Sequence, residues 1–371
     1  MTFSFSFTGD DIEDDGTTQM PAAPPASTTK STLTSTAGAF PVQGKPLLPP
    51  TYHSLDDILS CQPSKIAFSL LDVTLPDGRT LQLPRRELWD VRVQLMAEED
   101  GDNPNAEAEA GLGQHDVKTG IYEGGFKSWE SSVDLVKVLA SGGLEEGLLA
   151  REPCILIELG CGTALPSLAL FQWALAGKAK SEQQQPLVLT LADYNPTVLY
   201  LVTLPNMLLS WALQRKEDPV IRKAFTPDGE LELIPEVIEA FKQTLINNRI
   251  TLSFLSGGWS PEFVDLLYSP AVGFSQLPDS TKTLVLGSET IYSPFALENF
   301  STTLLSILEN ERRDRPNGKA KALVAAKRLY FGVGGSLDDF IEKMRGFGTS
   351  VSTVFEETQG VSRGVVECLL P

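Results

Sequence analysis

Apolar residues in the second half of the chain alternate between two patterns. Short continuous apolar runs, which are typical of strands buried on both faces, are each followed by a stretch with apolar residues at helical spacing. The runs are CILIELG (154–160), LVLTLAD (187–193), TLSFLSGGW (251–259), TLVLGSETIY (283–292) and KALVAAKRLYF (321–331). Alternation of strand and helix predicts an α/β fold with a parallel sheet and right-handed crossovers.

The carboxyl end of the chain breaks this alternation. Residues 350–370, SVSTVFEETQGVSRGVVECLL, have the pattern of two strands joined by a turn. A terminal hairpin would add one antiparallel strand, giving seven strands rather than the six of a dinucleotide-dependent dehydrogenase. The pattern therefore predicts the Rossmann-like, seven-stranded fold of S-adenosylmethionine-dependent methyltransferases over residues 118–371.

The first third of the chain has a different organisation. Residues 1–50 are rich in Thr, Ser, Pro and Ala, which predicts a disordered tail. Its start, FSFSF, suits a short docking strand or a linear partner motif as well as a flexible tail. Residues 51–117 are predicted to form a small N-terminal cap, in which Pro76-Asp77-Gly78 turns a β-hairpin, followed by an acidic linker at 97–114.

Charge limits the classes of partner. The formal net charge of −18 argues against direct binding of nucleic acid, which requires a basic surface. It suits a basic protein partner, although acidity that only maintains solubility explains it equally well. The apolar runs are too short for a membrane span, so we expect no membrane association. We expect a monomer.

Cysteine and histidine usage excludes several chemistries. Cys61, Cys154, Cys161 and Cys368 form no C-x-x-C pair, so we expect no zinc site and a reducing compartment. The two histidines, at positions 53 and 115, both precede the α/β half. A Ser-His-Asp triad or a histidine-built metal centre is therefore excluded there, and we expect no metal.

The ends of the first two strands carry candidate binding residues. Glu158 is followed by Gly160 and Gly162, whose backbone could approach a ligand closely, although a tight turn needs no ligand to explain it. Leu165-Pro166 replaces the third glycine of the dinucleotide fingerprint, which counts against NAD. Asp193 could accept two ribose hydroxyl groups. The alternative is a helix cap, a role that Asn195-Pro196 could fill.

A set of longer motifs carries a specific resemblance. In chain order they are GIYEGGFKSWE (120–130), ELGCG (158–162), DYN (193–195) with VTLPN (202–206), SETIY (288–292) and YFGVGG (330–335). Together they resemble the eukaryotic protein-histidine N-methyltransferase family, which modifies a histidine of a large-subunit ribosomal protein. The resemblance covers about residues 118–371. Ser131 departs from it, because the family commonly has cysteine or a similar residue there.

The resemblance implies S-adenosylmethionine as cofactor and a set of site residues. The cofactor-binding residues would be Ser128, Trp129, Glu130, Gly160, Gly162, Asp193, Tyr194, Asn195, Gly258, Trp259, Ser288, Glu289 and Thr290, and the catalytic residues Glu289 and Tyr292. Trp259 would offer a stacking face to adenine, or would be an ordinary core tryptophan. Glu289 would border the transferred methyl group, or would be a carboxylate at a helix N-terminus.

The implied reaction makes modest demands on the protein. Imidazole has a pKa of about 6.5 and is largely neutral and nucleophilic near neutral pH, so alignment and exclusion of water matter more than a strong base. Two alternatives stay open: methylation of a lysine in a translation or chaperone protein, and a ribosome-assembly factor without catalysis. The resemblance implies the cytoplasm and nucleus as the location.

Overall fold

The computed structural model describes residues 43–44, 46–98, 117–118, 122–123, 125–143, 148–181 and 183–371. Its strands are β1 (Thr51–His53), β2 (Lys65–Thr74), β3 (Thr80–Arg86), β4 (Val117–Lys118), β5 (Tyr122–Glu123), β6 (Cys154–Leu159), β7 (Leu187–Asp193), β8 (Glu230–Glu232), β9 (Ile250–Ser256), β10 (Lys282–Ser288), β11 (Ala320–Lys327), β12 (Ser350–Glu357) and β13 (Arg363–Leu369). The predicted tail up to residue 42, with FSFSF, and most of the acidic linker lie outside the described residues.

Helices lie between many of the strands, in the N-terminal segment as well as in the α/β half. In chain order they are α1 (Leu55–Ser60), α2 (Leu88–Glu98), α3 (Glu130–Ser141), α4 (Leu148–Arg151), α5 (Leu165–Lys178), α6 (Pro196–Val198), α7 (Leu204–Leu213), α8 (Pro219–Ala224), α9 (Pro235–Asn247), α10 (Pro261–Leu267), α11 (Pro294–Asp314) and α12 (Leu337–Gly346). A π-helical turn, Leu199–Thr203, joins α6 to α7.

The main sheet has the order β1-β9-β7-β6-β10-β11-β13-β12. Strands β9, β7, β6, β10 and β11 are parallel, and β13 lies antiparallel between β11 and β12. Side chains alternate between two buried faces, so that Leu156 packs with α3 and α5 while Ile157 packs with α11. The predicted Rossmann-like α/β fold, with five parallel strands and a terminal hairpin that inserts one antiparallel strand, is confirmed.

An eighth strand corrects the predicted boundary of the cap. Strand β1 pairs antiparallel with β9, with Thr51 opposite Ser256, and so belongs to the main sheet. Residues 46–50, predicted to be disordered, lie in contact with the loop after β9: the carbonyl of Leu48 accepts a hydrogen bond from the Gly258 amide at 2.8 Å. We call residues 46–53 the N-terminal strap.

The rest of the predicted cap packs onto the α/β half. Strands β2 and β3 form the expected hairpin, and β8, from the polar insertion, pairs with β2 to complete a three-stranded sheet. Ile66 and Leu83 of this sheet share one hydrophobic cluster with Trp211 and Phe241. The hairpin and the insertion therefore form a single layer over α5 and α7.

The segment Pro196–Leu213 is apolar enough, by length and composition, to cross a membrane. It lies against the main sheet instead, and 78% of it is buried within the protein. Burial of this kind is typical of a core helix.

Three strands end three or four residues earlier than predicted. Strand β9 ends at Ser256, β10 at Ser288 and β11 at Lys327, so residues 257–259, 289–292 and 328–331 lie beyond the carboxyl edge of the sheet. Ligands of open α/β sheets bind at this edge.

Candidate active site

A cavity opens at the carboxyl ends of β6, β7 and β10, and we call it the main pocket. Its lining includes eleven of the residues implied by the motifs: Trp129, Gly160, Gly162, Asp193, Tyr194, Asn195, Trp259, Ser288, Glu289, Thr290 and Tyr292. These residues come from distant parts of the chain and meet because parallel strands end at one edge of the sheet.

The glycine turn after β6 leaves no room for side chains. Gly160 has a φ of +67°, and a β-carbon there would lie 2.8 Å from Cγ2 of Thr290. Gly162 has a φ of +50°, and its β-carbon would lie 3.1 Å from the carbonyl oxygen of Gly125. Both positions therefore require glycine, and the bare backbone of the turn forms one wall of the main pocket.

Asp193 fixes the turn while facing the pocket. One carboxylate oxygen accepts from the Gly162 amide at 3.0 Å and the other from the Asn195 amide at 3.1 Å. Burial raises the pKa of Asp193 to about 6, against these stabilising amides. Helix capping belongs to Asn195, whose side chain accepts from the Thr197 amide at 3.0 Å. The Tyr194 amide also donates to this carboxylate, so about one of its roughly four acceptor positions is left for a ligand hydroxyl group.

Glu158 lies beneath the pocket and not in its lining. Its side chain accepts hydrogen bonds from the amide and the hydroxyl of Ser167, which tie the first turn of α5 to the end of β6. Burial raises the pKa of Glu158 to about 8. Its geometry assigns it a structural role.

Glu289 stands directly after β10 with a φ of +57°, a conformation that is costly for a residue with a β-carbon. Its backbone amide donates to the Ala325 carbonyl at 3.0 Å, which holds it in this position. Its carboxylate accepts from the hydroxyls of Ser131 and Tyr330. Burial raises the pKa of Glu289, while these two donors and the charges of Lys327 and Arg363 lower it.

Lys327 stands over two aromatic rings at the mouth of the site. Its ammonium nitrogen lies 5.1 Å from the ring centroid of Trp129 and 5.7 Å from that of Tyr330. Cation–π attraction of this kind orients the three side chains together. Trp129, Lys327 and Tyr330 thus form one wall of the site beside Glu289.

Trp259 packs in the core and also reaches the main pocket. Its ring packs edge-on against Phe300, with centroids 5.3 Å apart, and part of it lines the main pocket. It is a core tryptophan with one face available to a ligand.

Three residues implied by the motifs do not reach the main pocket. Glu130 forms an ion pair with Arg363 at 2.8 Å, and Ser128 shares a hydrogen bond of 3.0 Å with Thr163. Gly258 lies under the strap, where a β-carbon would come 2.6 Å from Cβ of Leu47. Glycine at this position serves the close approach of the strap.

Other residues line the pocket without having been assigned from the sequence. They are Gly125, Lys127, Ser132, Cys161, Thr163 and Asn299. Gly125 and Lys127 belong to the GIYEGGFKSWE motif and Cys161 to the glycine turn. Their position inside these motifs could have identified them as pocket residues from the sequence. Asn299 lies within α11, and nothing in its sequence context marks it.

The main pocket fits S-adenosylmethionine in its chemistry. It combines an anionic hydroxyl acceptor at Asp193, an aromatic face at Trp259, a bare glycine turn and a buried Thr290 hydroxyl with no hydrogen-bond partner in the described part of the chain. Among the described residues, no group of three or more His, Cys, Asp or Glu side chains could hold a metal ion.

The sequence is similar to proteins of known name. It is 34% identical over 358 residues to histidine protein methyltransferase 1 of Saccharomyces cerevisiae, covering 92% of this chain and 89% of that protein. The protein of the same name from Schizosaccharomyces pombe is 34% identical over 316 residues, covering 84% and 83%. The homolog from Bos taurus is 31% identical over 255 residues, covering 68% of this chain and 57% of that protein. No model of a known protein family matches.

Proposed function

The chain belongs to the histidine protein methyltransferase family, and from that premise we propose that its acceptor is a histidine of a large-subunit ribosomal protein. The enzyme is S-adenosylmethionine-dependent and acts on a protein. Two features support the ribosomal acceptor: the motifs shared with the family over residues 118–371, and a net charge of −18, which suits a basic partner.

The observation that carries the chemistry is the carboxylate of Glu289, which lies half-buried at the junction of two cavities. Glu289, Trp129 and Tyr292 line both the main pocket and a second cavity that opens to solvent. Donor and acceptor would therefore meet at Glu289. When bound, the cofactor supplies an electrophilic methyl group on a positively charged sulfur.

The protein's own residues position the acceptor and balance its charge. A neutral imidazole attacks through one ring nitrogen and becomes a cation, so its remaining N–H can donate to the Glu289 carboxylate. A carboxylate fixed by Ser131 and Tyr330 stabilises this growing positive charge without rearranging. Trp129, Tyr292 and Tyr330 line the junction, so an acceptor seated there would exclude water from the reacting atoms.

Location and assembly belong to the same proposal. An enzyme of ribosomal proteins would work in the cytoplasm and nucleus. It would act as a monomer and contact no nucleic acid directly, as its acidity indicates.

The test is to identify the labelled residue. The full-length protein is incubated with methyl-labelled S-adenosylmethionine and with protein from cells that lack the enzyme, and the product is digested and sequenced by mass spectrometry. We expect methylhistidine in a large-subunit ribosomal protein. Methyllysine as the sole product, methylhistidine in another protein, or cofactor binding without transfer would each reject the proposal.

A further inference from the structure

The second cavity, which we call the groove, continues outward from Glu289. It has a volume of about 650 Å³ and is lined by Trp129, Glu289, Tyr292, Lys327, Arg328, Leu329, Tyr330, Phe331, Val333, Gly360, Val361 and Ser362. A polypeptide that presents a histidine to Glu289 must place its neighbouring residues here, because the groove shares three lining residues with the main pocket.

Large apolar side chains stand exposed along the groove. The exposed fractions are 86% for Phe331, 47% for Leu329 and 49% for Val361. Single exposed hydrophobic residues are ordinary on a protein surface. Three beside one cavity are an apolar patch, and such patches mark interaction sites.

The charged groups of the groove are already paired. Arg328 forms ion pairs with both Asp338 and Glu356. Lys327 faces the rings of Trp129 and Tyr330 and the charge of Glu289. The charged groups of the groove therefore compensate each other. The exposed apolar side chains are the part of the groove whose burial by a partner would lower the free energy of binding.

The loop that carries Phe331 is fixed at both ends to the catalytic junction. At one end, the Tyr330 hydroxyl contacts Glu289. At the other, the Gly335 amide donates to the Tyr292 carbonyl at 3.1 Å, and a β-carbon at Gly335 would lie 2.1 Å from the Ile291 carbonyl oxygen. These contacts fix the position of Phe331 relative to Glu289, and therefore relative to a histidine bound at Glu289.

We propose that Phe331, Leu329 and Val361 form a subsite for an apolar side chain that flanks the target histidine in the protein substrate. The subsite rests on the proposed function, since it recognises the neighbours of the residue that Glu289 receives. It gives the exposed aromatic ring of the loop a role in substrate selection, separate from the chemistry. Aromatic anchors of this type carry much of the energy of protein recognition.

The test compares Phe331→Ser with a matched control, Ile246→Ser. Ile246 is 68% exposed on α9 and does not line the groove. The acceptor is total protein from cells lacking the enzyme, and the rate of methylation is measured against acceptor concentration. We expect Phe331→Ser to raise the apparent KM for the acceptor about tenfold, equivalent to ~1.4 kcal/mol of binding. Affinity for S-adenosylmethionine, measured by calorimetry, should stay unchanged in both variants.

A second measurement examines the substrate itself. The sequence around the methylated residue should contain an apolar side chain within about four residues, the reach of an extended segment across the groove. Replacing that side chain of the substrate by Ser should raise the KM of the wild-type enzyme to a similar extent. The same replacement should raise the KM of Phe331→Ser only slightly further. Wild-type kinetics for Phe331→Ser, or a wholly polar flank, would overturn the subsite.

The two proposals fail in different ways. If the wild-type enzyme methylates a residue other than histidine, the proposed function is rejected, and the Phe331→Ser comparison then shows only whether these side chains bind the segment that flanks that other residue. If it forms methylhistidine and Phe331→Ser behaves as Ile246→Ser does, only the subsite is rejected.

Discussion

At the scale of single residues, the proposed chemistry depends on how the structure holds Glu289. A left-handed backbone conformation at a residue with a β-carbon costs energy, and a backbone hydrogen bond to Ala325 and two side-chain donors hold it there. Strain maintained in this way at the junction of two cavities points to a functional constraint.

Glu289→Gln tests the carboxylate directly. The substitution keeps the shape of the side chain but removes the negative charge that would stabilise the forming imidazolium. We expect kcat to fall by about tenfold to a hundredfold, with cofactor affinity nearly unchanged, because the loss is confined to the transition state. Steady-state kinetics and calorimetry measure the two quantities. Glu298→Gln, at an exposed ion pair with Lys343, is the control. An unchanged kcat in Glu289→Gln would reduce the carboxylate to a structural group.

Tyr330→Phe tests the support of Glu289. Hydrogen bonding from Tyr330 lowers the pKa of Glu289, so losing the hydroxyl raises that pKa further. The carboxylate then takes up its proton at a higher pH. We therefore expect the acidic limb of the kcat–pH profile to move to higher pH, with activity recovering as pH rises.

The control for Tyr330→Phe is Tyr268→Phe. Tyr268 is a partly buried tyrosine that also donates to a glutamate, Glu311, at 2.8 Å, but it does not line the main pocket or the groove. An identical pH profile in wild type and Tyr330→Phe would contradict the positioning role. A shift in Tyr268→Phe as well would reveal a general effect of destabilisation.

Asp193→Asn concerns cofactor binding. The pKa of Asp193 is raised to about 6, so the carboxylate is ionised above that pH and becomes protonated as pH falls through it. Wild-type affinity for S-adenosylmethionine should therefore weaken from pH 7 to about 5. The variant should lose roughly 1.5–3 kcal/mol at pH 7, as expected for a hydrogen bond to a charged group, and show a flatter pH dependence. Calorimetry at several pH values measures the affinity of both proteins for S-adenosylmethionine. Equal affinities of wild type and Asp193→Asn at pH 7 would reject binding of the ribose hydroxyl groups by Asp193.

The sequence located most of this site but not its internal contacts. Motif residues such as Asp193 and Glu289 could be placed because strand ends share one edge of the sheet. Ser131 lies 158 residues from Glu289 along the chain, and their contact depends on the packing of α3 against the sheet. Glu130 belongs to one of the motifs of the site, but its side chain pairs with Arg363 and does not line the main pocket.

At the scale of elements, long periodic segments were predictable and short ones were not. The apolar runs of β6, β7 and β10 are long enough to show a buried strand. Strand β1 has three residues and β8 also three, too few to reveal a period. Both are defined by a partner strand that the sequence alone does not identify.

The strap leads to a prediction about truncation. Its Leu48 carbonyl accepts from Gly258, and its Leu48 amide donates to the Tyr194 hydroxyl at 3.2 Å, so it supports the rim of the main pocket. A chain beginning at residue 43 should bind cofactor as the full-length protein does. A chain beginning at Thr51 should bind more weakly, by roughly 1–3 kcal/mol for the two lost hydrogen bonds. Calorimetry on both chains tests this, and equal binding would show that the strap is dispensable.

At the scale of the whole molecule, the net charge is expected to affect the rate at which the protein associates with its acceptor. The net charge of −18 creates a negative field that extends beyond contact distance in dilute salt and is screened in concentrated salt. For a basic acceptor, attraction accelerates association, so kcat/KM should fall by about tenfold between low and high ionic strength. Cofactor affinity should change much less, because S-adenosylmethionine is small and binds in an enclosed pocket. The measurement is kcat/KM for the protein acceptor across a salt series, with calorimetry of the cofactor in the same buffers as the control. A flat or rising kcat/KM would mean that the acceptor carries no basic surface toward this protein, and the acidity would then serve solubility alone.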